Sequence, residues 1–452
     1  MSAAIPGLFM DLYQLTMVEA YLRDDLTDEA SFELSIRRLP AQRNFLLLAG
    51  LAEAVDYLES LRFERSELDH LASLGLFSDA LLSYLADFRF SGSLDAVPEG
   101  TPVFAGTPLL TLTAPLPQAQ LVETVLLNLI SSGTMLASKA ARVMGAARGR
   151  SLVDFGARRT HGIDAGFMAA RSLYLAGFDA TSNVEAGRRY GIPVSGTMAH
   201  SFIQAHPSEL DAFRAYARAY PQGTLLVDTY ETAGGIANLI ALRDELERDE
   251  LGQEFQIRSV RIDSGDLAAE AFASRAQLDA AGLESVQIVA SGGLDEYGID
   301  ALLGAAAPID GFGVGTNVGT SADAPNLESV YKLVEFAGSG RSKRSSGKET
   351  LPHRKQVFRR FREGHAIGDT VALREETLAG TALLEPVMQG GRAAGSMDLS
   401  LDAARTRAAA GLAALPDNLR SLDPSDPYPV TLSEALQEGT AAPPPQGGRA
   451  SD

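Results

Sequence analysis

A chain of 452 residues with no cysteine has no disulfides, no thiolate chemistry and no cysteine-ligated zinc or iron–sulfur centre. Its formal net charge of −19 repels phosphate backbones and argues against nucleic-acid partners, while small phosphorylated ligands stay open because local arginines and glycine amides can oppose the global sign. With 45% hydrophobic and 21% charged residues, the composition suits a globular protein of two domains or one elaborated barrel.

The opening "MSAAIPGLFMDLYQLTM" has no basic region followed by an apolar core, and no apolar run approaches the ~18 residues of a membrane helix. A cytoplasmic protein without membrane contacts is therefore expected. Next, "ELDHLASLGLFSDALLSYLADF" spaces its leucines as one amphipathic helix, and "TPVFAGTPLLTLTAP" reads as strands broken by Gly-Thr-Pro turns. "QLVETVLLNLISSGTMLASKAARVMGAA" reads as a long, largely buried connecting helix with a small-residue break at Ser131 to Thr134. Residues 1–135 are thus expected to form an N-terminal α/β (α+β) domain with its connecting helix.

From about 151 the texture changes. Seven short runs, "SLVDFG", "GFDATSN", "PVSGTMA", "TLLVDTY", "SVRIDSG", "VQIVASG" and "DGFGVGT", alternate with Ala-rich helical segments, and most end in Asp, Ser, Thr or Gly. Such alternation predicts a parallel sheet with helices outside it. Polar residues at successive strand ends favour an irregular TIM-like α/β barrel over 136–336, because the βα loops converge there to make a site. Residues 337–437 turn polar and then strand-like again, as an extension that returns to the N-terminal domain. A disordered tail is expected at 438–452, which is rich in Pro and Gly.

Several strand ends carry chemistry-bearing residues. Phe155 precedes Arg158 and Arg159, so a ring could stack on phenylalanine while a guanidinium meets an anion, or the arginines simply face solvent. "RIDSGDL" sets Arg261, Asp263 and Asp266 around a turn; the carboxylates could hold ribose hydroxyls or Mg²⁺, or Asp266 could cap a helix. "ASGGLDE" and "GFGVGTN" supply glycine-rich turns after the last two strands, the usual place for a phosphate in a barrel. His200 in "GTMAHSF" could be core filler or a group that reacts near neutral pH. Zinc shared with His206 is disfavoured, since the spacing is not one helical turn and no third ligand stands nearby.

Together these stretches resemble the nicotinate phosphoribosyltransferase family. The resemblance runs through "DLYQLTM", "RRLPAQRNFLLLAGL", "EGTPVFAGTPLLTL", "DFGARRTHG", "GFDATSNVEAG", "GTMAHSF", "LLVDTYET", "RIDSGDL", "GVGTN" and "SVYKLVEF", covering roughly 10–400 in family order. It implies an N-terminal α/β domain, completed by C-terminal strands, beside an irregular α/β barrel. The implied reaction joins nicotinate to 5-phosphoribosyl-1-pyrophosphate in NAD salvage, releasing nicotinate mononucleotide and pyrophosphate, with Mg²⁺ as cofactor and ATP as co-substrate.

By the same resemblance, His200 is the residue transiently phosphorylated by ATP. Tyr13 would reach the nicotinate site of the opposite subunit, making the enzyme a homodimer with shared active sites. Phe155 would stack on the pyridine ring beside Arg158, Thr197 and Arg261. Asp263 would hold ribose or Mg²⁺, Gly292, Gly293, Gly313 and Gly315 would cradle the 5′-phosphate, and Thr316 would contact phosphoribosyl pyrophosphate.

Ser182 bears on acid versus amide. The related nicotinamide enzyme has an aspartate in the matching place; a carboxylate there would repel nicotinate, and Ser182 does not. One departure is Pro352-His353, where related sequences commonly read Pro-Gly. It bears on the loop conformation and on any ATP or pyrophosphate contact from Lys348 or Lys355. The rival readings are a nicotinamide or quinolinate phosphoribosyltransferase, a barrel lyase using Lys139 as a Schiff-base amine, and a non-catalytic pyridine-nucleotide sensor.

Overall fold

The computed structural model describes residues 5–246, 258–343, 345 and 350–441; Lys348 and residues 442–452 of the expected tail lie outside that set. Contacts divide the chain into two compact units, residues 1–135 with 326–452, and residues 136–325. Among the described residues no helix is long and apolar enough to cross a membrane.

In the first unit both ends of the chain build one seven-stranded sheet. Strand Glu29–Ile36 pairs antiparallel with Pro108–Pro115 on one side and with Ser329–Phe336 on the other. Glu385–Gln389 adds to Ser93–Ala96. Phe32 stacks on Tyr331 with centroids 4.8 Å apart, and the buried Tyr331 hydroxyl donates to the Ala119 carbonyl at 3.0 Å. A stacked pair of this kind adds about 0.5–1.5 kcal/mol beyond area burial, so the returning strand is fixed by packing as well as by its ladder. Residues 326–336, grouped with the barrel in the sequence reading, therefore belong to this unit.

Three local expectations are corrected. The single helix expected over 67–88 is two, Arg65–Ser73 and Asp79–Ala86. Gly75 takes φ +63° between them, and the Ser78 hydroxyl caps the second by accepting from the Leu81 amide. Conversely, Ser131 to Thr134 do not interrupt the connecting helix, which runs unbroken over Glu123–Ala146. A Cβ on Gly133 would lie 2.9 Å from the Ala49 carbonyl carbon, so the small residues permit close backbone approach instead of a break. Finally, residues 438–441 of the expected tail close the helix Glu434–Ala441.

Strands Lys355–Arg362 and His365–Leu373 form the centre of a separate four-stranded sheet. Lys355 is buried there, its ammonium 3.0 Å from a Glu33 carboxylate oxygen and donating to the Leu351 and His353 carbonyls at 2.9 and 2.6 Å. It is thus consumed in folding its own loop and is not available to ATP or pyrophosphate. His353 sits in that loop at φ +65°, the left-handed region that favours glycine. The loop has kept a glycine conformation without the glycine. His353→Gly is expected to raise unfolding free energy by up to about 1 kcal/mol in urea titration; a loss of that size would show that the 3.3 Å contact of the imidazole with Glu335 outweighs the strain.

The second unit is a curled, all-parallel sheet of six strands, a half-barrel wrapped by helices. The strands are Ser151–Asp154, Ala180–Thr181, Thr224–Leu226, Ser259–Ile262, Gln287–Ala290 and Gly311–Val314. In space the order is second, first, sixth, fifth, fourth, third, so Ala180–Thr181 and Thr224–Leu226 are the edges. Leu152, Val260, Ile288, Phe312 and Val314 are all buried, as expected of strands covered on both faces. The seventh expected run, "PVSGTMA", contributes only a single parallel bridge, Thr181 to Val194. Pro193 has no amide to donate, and pairing ends after Thr181 donates to its carbonyl and Ser195 donates back to Thr181, at 3.0 and 3.1 Å.

Candidate active site

The C-terminal ends of the parallel strands and the turns that follow them carry the residues expected to meet nicotinate and phosphoribosyl pyrophosphate, Tyr13 excepted. After the first strand, Asp154 is buried and accepts hydrogen bonds from the Gly156 amide and the Thr181 hydroxyl, both at 2.7 Å. Burial raises its carboxyl pKa, against the pull of those two bonds. The Ser182 amide donates to the Asp154 carbonyl at 2.8 Å. One acid thus fixes both the turn that presents Phe155 and the strand end that presents the exposed Ser182.

Gly313 lies inside the sixth strand opposite Val153, and a Cβ there would fall 2.3 Å from Cε2 of Phe155. Gly313 thus makes room for the aromatic ring, a role the sequence did not suggest. The Arg261 guanidinium carbon stands 5.8 Å from the Phe155 centroid, and the guanidinium donates to the Thr197 hydroxyl. The Arg261 side chain is only 12% exposed, and burial lowers its pKa although Asp263 and Asp228 favour its charge. Its Nε is buried with no hydrogen-bond partner. An aromatic face, a hydroxyl and a desolvated guanidinium with a spare donor suit a planar ring that carries a carboxylate. Arg158 and Arg159 are exposed, and Arg158 adds positive potential near Arg261.

His200 opens the short helix His200–Gln204. Its Nδ1 hydrogen-bonds the Thr229 hydroxyl at 3.1 Å, and its Nε2 stands 3.8 Å from an Asp263 carboxylate oxygen. The side chain is 39% exposed. One ring nitrogen is tethered while the imidazole stays reachable, an arrangement fitted to accept a group. His206 differs: its Nδ1 lies 2.7 Å from the Phe202 carbonyl, and its ring packs on Phe202 at 4.6 Å, so it is structural.

Asp263 is organised by two residues the sequence reading passed over. The Ser291 hydroxyl donates to its Oδ1, and the Asp263 amide donates to Asp228 Oδ2 at 2.8 Å, an oxygen that also accepts from the Ser264 hydroxyl at 2.7 Å. Asp228 and Thr229 stand at the end of "TLLVDTY" just as Asp154 does in "SLVDFG"; that shared position was the available signal. Asp266 takes the capping option, accepting from the Ala268 and Ala269 amides at 3.2 and 3.1 Å.

The two glycine turns complete the floor. Gly292 has φ +97°, and a Cβ on it would meet the Asp263 carbonyl oxygen at 2.0 Å, so no other residue fits. Gly293 has φ +67° with open space around it, and its carbonyl accepts from the Asn317 side chain at 3.0 Å. Gly315 precedes the helix Thr316–Gly319, with Thr316 exposed at its start. Open amides beside a helix start suit a phosphate.

Tyr13 lies in the other unit, on the helix Leu12–Arg23, 45% exposed; partial burial and the charges of Glu123 and Asp11 push its phenol up to about 12. Lys139 is 2% exposed and ion-paired with Glu296 and Asp323. A Schiff-base lysine must be free to lose its proton and meet a carbonyl, so the lyase reading is set aside. Among the described residues no cluster of three or more His, Asp or Glu side chains forms a metal cage. Mg²⁺ can nevertheless be held by one carboxylate and substrate phosphates, and Asp263 fits that requirement.

Residues 8–131 match the model described as the nicotinate phosphoribosyltransferase N-terminal domain, and residues 150–350 match that described as the nicotinate phosphoribosyltransferase family. The chain is 51% identical over 433 residues to nicotinate phosphoribosyltransferase pncB2 of Mycobacterium tuberculosis, covering 96% of this chain and 92% of that protein. It is 34% identical over 522 residues to nicotinate phosphoribosyltransferase of Homo sapiens, covering 96% of each. The fold superposes on the crystal structure of human nicotinic acid phosphoribosyltransferase with a TM-score of 0.84 at 31% identity, over 96% of this chain and all 100% of that one. A nicotinate-nucleotide pyrophosphorylase from Pyrococcus furiosus shares the fold at a TM-score of 0.72 and 23% identity, over 89% and 94% of the two chains.

Proposed function

The chain belongs to the nicotinate phosphoribosyltransferase family and is an enzyme of NAD salvage; from that premise we propose that it couples nicotinate mononucleotide synthesis to ATP hydrolysis through transient phosphorylation of His200. The observation that carries the reading is one surface. Phe155, Thr197 and Arg261, suited to an aromatic acid, lie at the same strand ends as a tethered, accessible imidazole and a pair of glycine turns.

In the reaction the pyridine nitrogen forms a bond to ribose C1 while the C1–oxygen bond to pyrophosphate breaks, its electron pair leaving on pyrophosphate. No proton need be removed, so the protein chiefly orients the partners and stabilises separated charge. Arg261 and Thr197 hold the carboxylate, Phe155 holds the ring face, and the Gly292–Gly293 and Gly315–Thr316 turns hold the 5′-phosphate. Asp263 orients the ribose hydroxyls and would be the protein ligand of Mg²⁺, which when bound offsets charge on the leaving pyrophosphate. His200 accepts the γ-phosphoryl group of ATP, releasing ADP; later hydrolysis frees phosphate. Tyr13 completes the nicotinate pocket of a second subunit in a homodimer working in the cytoplasm.

Purified protein given nicotinate, phosphoribosyl pyrophosphate, Mg²⁺ and ATP should form nicotinate mononucleotide, followed by chromatography; folded protein giving no product above a protein-free control would refute the reading. Ser182→Asp should raise KM for nicotinate about tenfold, because a second carboxylate repels the acid, and should leave KM for nicotinamide unchanged or lower. A nicotinate KM unchanged by that charge would place Ser182 outside the pocket.

A further inference from the structure

Lys139 is a buried cation that the reaction as described does not use. It lies on the connecting helix, 2% exposed, with its ammonium 2.6 Å from Glu296 Oε2 and 3.0 Å from Asp323 Oδ1. Arg142, one turn further along, donates through Nε to Glu296 Oε1 at 3.0 Å and reaches the Tyr297 hydroxyl at 2.9 Å. Burying four charged groups is expensive unless they are paired, and this set is neutral as a whole.

Where the two carboxylates sit gives the cluster its meaning. Glu296 is the first residue of the helix Glu296–Gly304, which starts directly after the turn Ser291–Asp295 containing Gly292 and Gly293. Asp323 follows the helix Thr316–Gly319, after the turn at Gly315. One ammonium therefore holds the start of the helix that follows the first turn and the segment beyond the short helix that follows the second. At the exposed face the same two turns are joined by the Asn317 side chain and the Gly293 carbonyl. Gly292 packs against the Asp263 carbonyl, but Gly293 meets no neighbour within 4 Å of an added Cβ, so the far side of that turn has little packing of its own.

We propose that Lys139 is a positioning residue that locks the two glycine turns into one phosphate-binding floor, holding their separation fixed from beneath. This rests on the assignment of those turns to the 5′-phosphate. Its signature is a selective loss of phosphoribosyl pyrophosphate affinity, since a shift of about 1 Å in a binding group can cost roughly a hundredfold.

Lys139→Met alone leaves the cluster one positive charge short and risks misfolding. Lys139→Met/Asp323→Asn keeps the neutral Arg142–Glu296 pair and removes the link. In that variant KM for phosphoribosyl pyrophosphate should rise about tenfold or more while KM for nicotinate stays within about twofold, and Lys139→Arg should fall between. Amide hydrogen exchange, which needs no substrate, should quicken over both 291–297 and 316–323. Asp323→Asn alone, which leaves Lys139 paired with Glu296, should loosen only 316–323.

Exchange that is unchanged at both turns, or quickened evenly across the unit, would overturn the proposal, as would an unaltered phosphoribosyl pyrophosphate KM in a folded, active double variant. If the wild type makes no product, the assigned reaction fails while the exchange measurement still decides whether Lys139 joins the turns.

Discussion

His200→Ala should lose all phosphoryl label from γ-labelled ATP and all stimulation of turnover by ATP. With saturating ATP, kcat/KM for phosphoribosyl pyrophosphate is expected to fall about a hundredfold, toward the rate the wild type shows without ATP. The argument is positional. The imidazole has one nitrogen 3.1 Å from the Thr229 hydroxyl and the other 3.8 Å from Asp263, while the side chain remains open enough to meet a nucleotide. Alanine removes the acceptor but leaves the Asp228–Asp263–Ser291 arrangement that serves the sugar. The ATP-independent reaction should therefore survive. Acid-labile, base-stable label persisting in the variant would move the phosphorylated residue elsewhere, and continued stimulation by ATP would separate the histidine from coupling.

Arg261→Met should raise KM for nicotinate about a hundredfold with a smaller effect on KM for phosphoribosyl pyrophosphate. Removing one partner of a desolvated, hydrogen-bonded charge pair costs about 2–5 kcal/mol, and a hundredfold corresponds to roughly 2.7 kcal/mol. The guanidinium is preorganised for this task, with Thr197 fixing one arm and a buried Nε lacking any partner. Arg261→Lys should recover only part of the loss, since an ammonium keeps the charge without the fork. The comparison to make is initial rates with nicotinate and with nicotinamide. If both lose affinity equally, Arg261 supports the ring and not the carboxylate.

Much of the second unit was legible because each buried strand ends abruptly in a polar residue, and that pattern repeats. Six of the seven runs became strands; "PVSGTMA" failed because proline and glycine allow only one bridge. The turn expected at Gly292 is present, with φ +97° and no room for a side chain. At Gly313 the missing side chain serves the neighbouring Phe155 ring, which no local pattern announced. Asp154, Asp228 and Thr229 escaped notice because an aspartate or threonine at a strand end is equally a turn former. The ion pairing of Lys139, which the sequence offered only as a Schiff-base amine, could not be read. Its partners lie at 296 and 323, and only the fold brings such distant positions beside a helix.

In the first unit, strand content near the C-terminus was visible, but the pairing partner was not. Ser329–Phe336 buries only Tyr331 and Val334, without a clean alternation, and nothing local says that it pairs with Glu29–Ile36. His353 shows the reverse case. A backbone turn survives a residue that disfavours it, held by Lys355 and its carbonyl partners.

The incomplete barrel has a further consequence. Its sheet ends at Ala180–Thr181, extended by one bridge to Val194, and at Thr224–Leu226, and a side-chain bond between His200 and Thr229 links the segments that follow these two edges. If His200 carries a phosphoryl group as proposed, its position at the open seam means that the change would exchange one side-chain bond for another and leave every ladder intact. The gap would then be the expansion joint of the scaffold.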